Sequence, residues 1–147
     1  MIFKSMLTGV AVALVSIGTA YAADCALPAD AQNGKMVSNQ CKSCLVFEAD
    51  KPSRPTGPNL HDVFGDKAGI RKDYPNFSPA ISAASAKGLT WTEDKLNDYL
   101  ADPKAFLAAV TGNPDLKHGM YFNVKDDQKR KDVIAFLKAI KGKAECN

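Results

Sequence analysis

The sequence predicts an all-α fold of about four to five helices joined by long loops. Three observations lead there. Apolar residues recur at helical spacing in several stretches, most clearly Val133, Phe136, Leu137 and Ile140, which follow the i, i+3, i+4, i+7 pattern. No stretch alternates apolar and polar residues as a half-buried strand would. Proline and glycine clusters such as Pro52-Ser53-Arg54-Pro55-Thr56-Gly57-Pro58 exclude regular helix or central strand between the helical stretches.

The chain begins with an export signal. Lys4 gives a short basic start, Leu7 to Ile17 is apolar and small, and Ala20-Tyr21-Ala22 has the small-x-small form of a cleavage site. The apolar run is shorter than the ~20 residues needed to cross a bilayer. Residues 1–22 are read as signal peptide and residues 23–147 as one domain, with no membrane span after cleavage. The other reading of the run is an uncleaved anchor. Cys25 follows Asp24 and so lies outside a lipoprotein context. Cleavage removes one of 19 basic and none of 16 acidic residues, leaving 18 against 16 and a formal net charge of +2. That balance argues against a nucleic-acid partner and leaves room for a local basic face.

The first predicted helix runs from about Asp30 to Gln40, with Gly34 marking a close backbone approach. A second, weaker one covers about Phe77 to Ala86. The third opens at Thr90-Trp91-Thr92-Glu93, where Thr90 and Glu93 have capping-box spacing. Leu96, Tyr99 and Leu100 share a face, with Pro103 just beyond. Lys104 to Val110 forms a short continuation. The last helix spans about Asp126 to Lys141, and Gly142 is placed to end it. Gly112-Asn113-Pro114 to Gly119 forms a second long loop. Loops this long are rarely idle in a small chain, and a large flat cofactor at the centre would explain them.

Four cysteines follow the signal: Cys25, Cys41, Cys44 and Cys146. An even number in an exported chain suggests oxidised or cofactor-linked thiols. Cys25 and Cys146 lie near the two ends of the domain, and termini of compact domains often lie close together. A bridge between them is the favoured reading; two unpaired surface thiols are the other. Cys41-Lys42-Ser43-Cys44 has the spacing of a c-type haem attachment site, except that Leu45 follows where that signature has histidine. The pair also has the spacing of a redox-active dithiol, although the βαβ pattern that accompanies such a site is missing.

From about Gln32 to Lys141 the chain resembles the class I cytochromes c of bacteria and mitochondria. The cysteine pair stands after the first helix. Gly57-Pro58-Asn59-Leu60-His61 and Phe64-Gly65 follow, then Phe77-Ser78-Pro79-Ala80, Gly88-Leu89-Thr90-Trp91 and Tyr99-Leu100-Ala101-Asp102-Pro103. Gly119-Met120-Tyr121-Phe122 is similar to the family's methionine-ligand loop, and Arg130 to Leu137 to its closing helix. The resemblance implies a cytochrome c-like fold around a haem-sized pocket, with haem c held by Cys41 and Cys44. It implies Met120 as the metal ligand, Pro58 against one haem face, and Trp91 and Tyr99 lining the pocket. Trp91's indole N–H would reach a haem propionate. The first and last helices would cross where Gly34 meets Phe136.

The chain departs from the family at Leu45, which cannot bind iron, and at Asp66 and Ser38, where arginine and an aromatic are common. Leu45 leaves both ligation and covalent attachment open. His61 and His118 are read as solvated loop residues. Three functions remain in view: a periplasmic electron carrier with atypical axial coordination, a haem protein with an open iron site, and a haem-free binding or thiol module of the same fold. The first is favoured. It implies no catalysis, a monomer, and a redox partner with an acidic docking face meeting Lys42, Lys104 and Lys117.

Overall fold

The computed structural model of the chain describes residues 25–146. The expected signal segment, residues 1–22, lies outside them. Among the described residues there are five α-helices and no strand: α1 (Ala29–Ser38), α2 (Pro79–Ala86), α3 (Glu93–Ala101), α4 (Pro103–Thr111) and α5 (Asp127–Ile140). Isolated bridges, Val46 with Asn59, Arg54 with Gly57 and Lys67 with Thr90, tie the loops together.

Helix boundaries follow local chemistry. α1 tightens at its end into a 3-10 turn, Asn39–Cys41, which delivers the first of the paired cysteines. Ser78 caps α2 by accepting from the Ile81 amide at 3.3 Å, with Pro79 as the first helical residue. Proline suits that position because its missing N–H would have had no partner there. Asp102 both ends α3 and caps α4, accepting from the Ala105 amide at 3.0 Å. Asp126 caps α5 through the Lys129 amide at 2.9 Å. Gly112 ends α4 at φ +72°, and Gly142 turns the chain at φ +69° just beyond α5, a conformation open to glycine because it has no Cβ.

One boundary differs from expectation. The cap of α3 is Thr92, whose hydroxyl accepts from the Lys95 amide at 3.4 Å, and Thr90 and Glu93 form no capping box. Thr90 is occupied elsewhere. The Gly65 amide donates to Trp91 O at 2.8 Å, the Trp91 amide to Asp66 O at 2.9 Å, and the Ala68 amide to Leu89 O at 2.8 Å. These bonds hold residues 89–91 extended against residues 65–68, so the helix cannot begin before Thr92.

The largest helix–helix contact is α1 on α5. It depends on Gly34, where a Cβ would lie 1.9 Å from the Asp132 carbonyl oxygen and 2.8 Å from Phe136 Cβ. The expected crossing near Gly34 and Phe136 is therefore present. Phe47 supplies an aromatic there, its ring 5.7 Å from that of Phe136. Ser38 is fully buried in the same region, and its hydroxyl has no hydrogen-bond partner among the described residues. The core continues through Val133, Ile134, Leu137 and Ile140 of α5 to Leu96, Leu100, Phe106 and Leu107. Cys25 and Cys146 are joined, their Cα atoms 4.9 Å apart, which fastens the segment before α1 to the turn after α5.

Candidate functional site

The cysteine pair sits on a tight turn. The amides of Cys44 and Leu45 both donate to Cys41 O, at 3.1 and 2.9 Å. The pair is unbridged. Cys41 is half-buried, and desolvation, then the neighbouring Cys44, pushes its thiol above the usual range. Cys44 is exposed, so the two thiols differ in reach.

Leu45 is half-buried and packs against the core. Its side chain and the Cys44 backbone close tightly over Gly57, where a Cβ would lie 2.7 Å from Leu45 Cδ2 and 2.8 Å from Cys44 O. Thr56 reinforces the approach by donating its hydroxyl to Cys44 O at 3.1 Å. Pro58 is half-buried. Its carbonyl accepts from the Val46 amide at 3.5 Å, and Val46 O accepts from the Leu60 amide at 2.7 Å. The Gly57–Leu60 run is thus laid alongside the residues that follow the cysteines.

Asn59 organises this loop, a role that sequence reasoning missed. It is buried and donates from Nδ2 to Glu48 O at 2.6 Å and to Lys51 O at 2.8 Å, while its Oδ1 accepts from the His61 amide. Its place between Pro58 and Leu60 is the only cue to it in the chain.

Trp91 is buried, with Tyr99 at 4.9 Å and Phe106 at 6.3 Å between ring centroids; Tyr99 and Phe106 meet edge to face at 5.9 Å. Trp91 and Tyr99 lie against each other, and Phe106 completes the cluster. Phe106 belongs to the stretch read only as a short continuation, so its inward position went unnoticed. Desolvation raises the Tyr99 hydroxyl well above the usual tyrosine range, which keeps it a neutral phenol.

Met120 is half-buried and packs against the core from its loop. The loop is anchored by Lys117 O accepting from the Ala80 amide at 3.1 Å and by Leu100 O accepting from the Val124 amide at 2.7 Å. Arg130 steadies the far side, donating to Asn97 Oδ1 at 2.9 Å and to the Val124 and Lys125 carbonyls at 2.9 and 2.8 Å.

Both histidines are engaged, and one overturns its expected placement. His61 is not solvated: it is 3% exposed, with Nε2 3.2 Å from Lys143 O and Nδ1 3.0 Å from Asp62 Oδ1. Asp62 Oδ1 also accepts from the Gly142 amide at 3.0 Å. The buried histidine thus ties the loop after Leu60 to the end of α5. His118 is half-buried rather than fully solvated, with Nδ1 2.8 Å from Met120 O and its ring 4.8 Å from that of Tyr121. Asp66, where the family commonly has arginine, pairs with Lys141 Nζ at 3.0 Å. Lys104 and Lys117 are exposed and Lys42 is half-buried.

Among the described residues, no cluster of three histidine, cysteine or acidic side chains could hold a free metal ion. The donors that remain suit a haem better. Two unbridged thiols one turn apart match covalent attachment, and a half-buried thioether on a loop is a soft iron donor. Leu45 has no lone pair to offer an iron, and His61 is held by Lys143 and Asp62.

No protein-family model matches the chain. Individual relatives do. It is 39% identical over 137 residues to the cytochrome c2 of Rhodospirillum rubrum, covering 92% of this chain and all of the relative. It is 35% identical over 132 residues to cytochrome c2 of Cereibacter sphaeroides, covering 82% of this chain and 91% of that one. Among solved structures, cytochrome c2 from Rhodobacter sphaeroides superposes with a TM-score of 0.69 at 33% identity, covering 74% of this chain and 94% of that one. The all-α fold around the cysteine turn is that of a class I cytochrome c, an electron-transfer class rather than a class of enzymes. With relatives at this identity and coverage, the chain belongs to the cytochrome c2 family.

Proposed function

We propose that this protein is an exported c-type cytochrome that carries single electrons in the periplasm, with haem attached at Cys41 and Cys44 and with atypical axial coordination. The observation that carries the reading is the division of the four cysteines. Cys25 and Cys146 are paired with each other, while Cys41 and Cys44 stay unbridged on one turn. In an oxidising compartment that division leaves one thiol pair for a cofactor. Residues 1–22 serve as the cleaved export signal. Among the described residues no helix is long and apolar enough to cross a membrane.

Haem supplies an iron that exchanges one electron between its ferric and ferrous forms. The chain's residues set the conditions. Cys41 and Cys44 would hold the group, Pro58 would pack against it, and Met120 would offer its thioether to the iron. A thioether favours the reduced iron and raises the potential. Trp91, Tyr99 and Phe106 keep water from the interior, and a neutral Tyr99 adds no charge beside the group. Lys42, Lys104 and Lys117 provide a basic edge for an acidic redox partner, met by a monomer.

A second reading has its own support. With Leu45 after Cys44 and His61 engaged elsewhere, a bound iron would lack a second protein donor among the described residues and would be open to a small ligand.

The deciding experiment is a haem stain of the exported protein on a reducing, denaturing gel. Stain that migrates with the chain and is lost in Cys41→Ser/Cys44→Ser is the expected result. A folded, helical, unstained protein would replace this reading with a haem-free binding module.

A further inference from the structure

The Met120 loop is sparsely bonded. Among the described residues, the backbone bonds at Lys117 and Val124 bracket it, and between them residues 118–123 make one hydrogen bond, from His118 Nδ1 to Met120 O at 2.8 Å. A carbonyl oxygen only accepts, so Nδ1 carries the proton. The ring also lies against Tyr121, with centroids 4.8 Å apart. Tyr121 is 84% exposed and Phe122 46% exposed, so neither is held by burial. Gly119, between His118 and Met120, is exposed and adds no side chain.

We propose that His118 is a positioning residue for Met120, acting as a clasp across the turn that presents the thioether. The inference rests on reading Met120 as an axial ligand. Methionine has three rotatable bonds and its sulfur is a weak neutral donor, so its effective strength as a ligand depends on how far the backbone holds it in place. Here the backbone at Met120 is held by a side chain two residues earlier. The bond requires a proton on Nδ1, and Nε2 has no hydrogen-bond partner among the described residues. His118 therefore acts through the Met120 carbonyl and need not touch the cofactor.

The test compares the exported protein with its His118→Ala and His118→Asn variants. Asparagine can place an amide donor near the position of Nδ1. Two measurements are made: amide hydrogen exchange at Ala80 and Val124, whose bonds bracket the loop, and the absorption of the methionine–iron bond. In His118→Ala, exchange at these two amides should quicken about five- to tenfold, the effect of losing one hydrogen bond. The methionine–iron absorption should weaken, while the unfolding midpoint stays near that of the parent. His118→Asn should recover most of both signals. Unchanged exchange overturns the clasp. So does faster exchange spread across the whole chain with a lowered midpoint, which would mark a merely structural residue. A nitrogen-ligated spectrum in the parent that His118→Ala abolishes also overturns it, because His118 would then bind the iron itself. If the parent shows no methionine–iron absorption yet His118→Ala quickens the local exchange, the role toward a ligand is overturned; what fails in that case is the reading of Met120, and the loop restraint stands.

Discussion

From the α1–α5 crossing, α1 leads almost directly into the turn from Cys41 to Leu45, and the two regions answer to different constraints. At the crossing, space is the constraint. Gly34 lies against the Asp132 carbonyl, Phe136 is buried under Phe47, and any added or removed atom is felt. At the turn space is tight as well, and chemistry is a second constraint. Leu45 fits well, closing over Gly57 and packing on the core, while offering nothing to an iron. A side chain can satisfy the fold and still remove a ligand. Even Ser38, buried at the crossing with a hydroxyl that has no partner among the described residues, leaves the helix pair intact, with Phe47 supplying an aromatic there.

The sharpest way to break this contrast is to empty the crossing. Phe136→Ala should lose about 3–5 kcal/mol, read by chemical denaturation, because a large buried ring leaves a cavity that its neighbours cannot fill. A loss below ~1 kcal/mol would mean that the crossing is loosely packed and the contrast false. Next in size, Gly34→Ala should cost about 1–3 kcal/mol or more, since the added methyl meets backbone rather than a movable side chain.

At the turn, Leu45→His should cost about 1–2 kcal/mol while changing the spectrum, because a polar imidazole replaces a half-buried apolar side chain that packs on the core. Haem content should rise and the iron should become six-coordinate with Met120. Adding Met120→Ala should remove the methionine signature. A parent protein that already shows histidine–methionine coordination would refute the account of Leu45, and a variant that gains no haem would favour the haem-free alternative.

The smallest effect concerns acid. Partial burial pushes the Asp62 carboxyl upward, but the Gly142 amide and then His61 more than offset this, so it sits below the ordinary carboxylate value. A lowered native pKa contributes stability that is full above the unfolded carboxylate pKa and lost as pH falls through the native one. Asp62→Asn should therefore lower stability slightly near neutrality and flatten the acid limb, so that the two profiles converge as pH falls. Identical acid limbs in the two proteins would show that the tie to Gly142 contributes nothing.

Much of the frame was legible because its cues are short-range. The stripe Val133, Phe136, Leu137 and Ile140 marks α5, Gly142 marks its end, and Gly34 marks the close approach, each within a few residues of what it governs. The cysteine pair and Met120 stand out in the sequence by residue type and order alone. The start of α3 was not legible. The sequence points to Thr90 as the cap, and the cap falls on Thr92 because the Trp91 amide donates to Asp66 O and the Ala68 amide to Leu89 O.

The two histidines draw the same line more clearly. Sequence alone determined that this chain has the helices of a class I cytochrome c, a thiol pair at haem spacing and no histidine behind it, because helical periodicity and motif order are local properties of the chain. Only the tertiary structure decided that His61 is buried against Lys143, 82 residues away, and that His118 turns back onto the Met120 carbonyl. A side chain's burial and the partners of its two nitrogens depend on which distant backbone folds over it, and residue spacing carries no record of that.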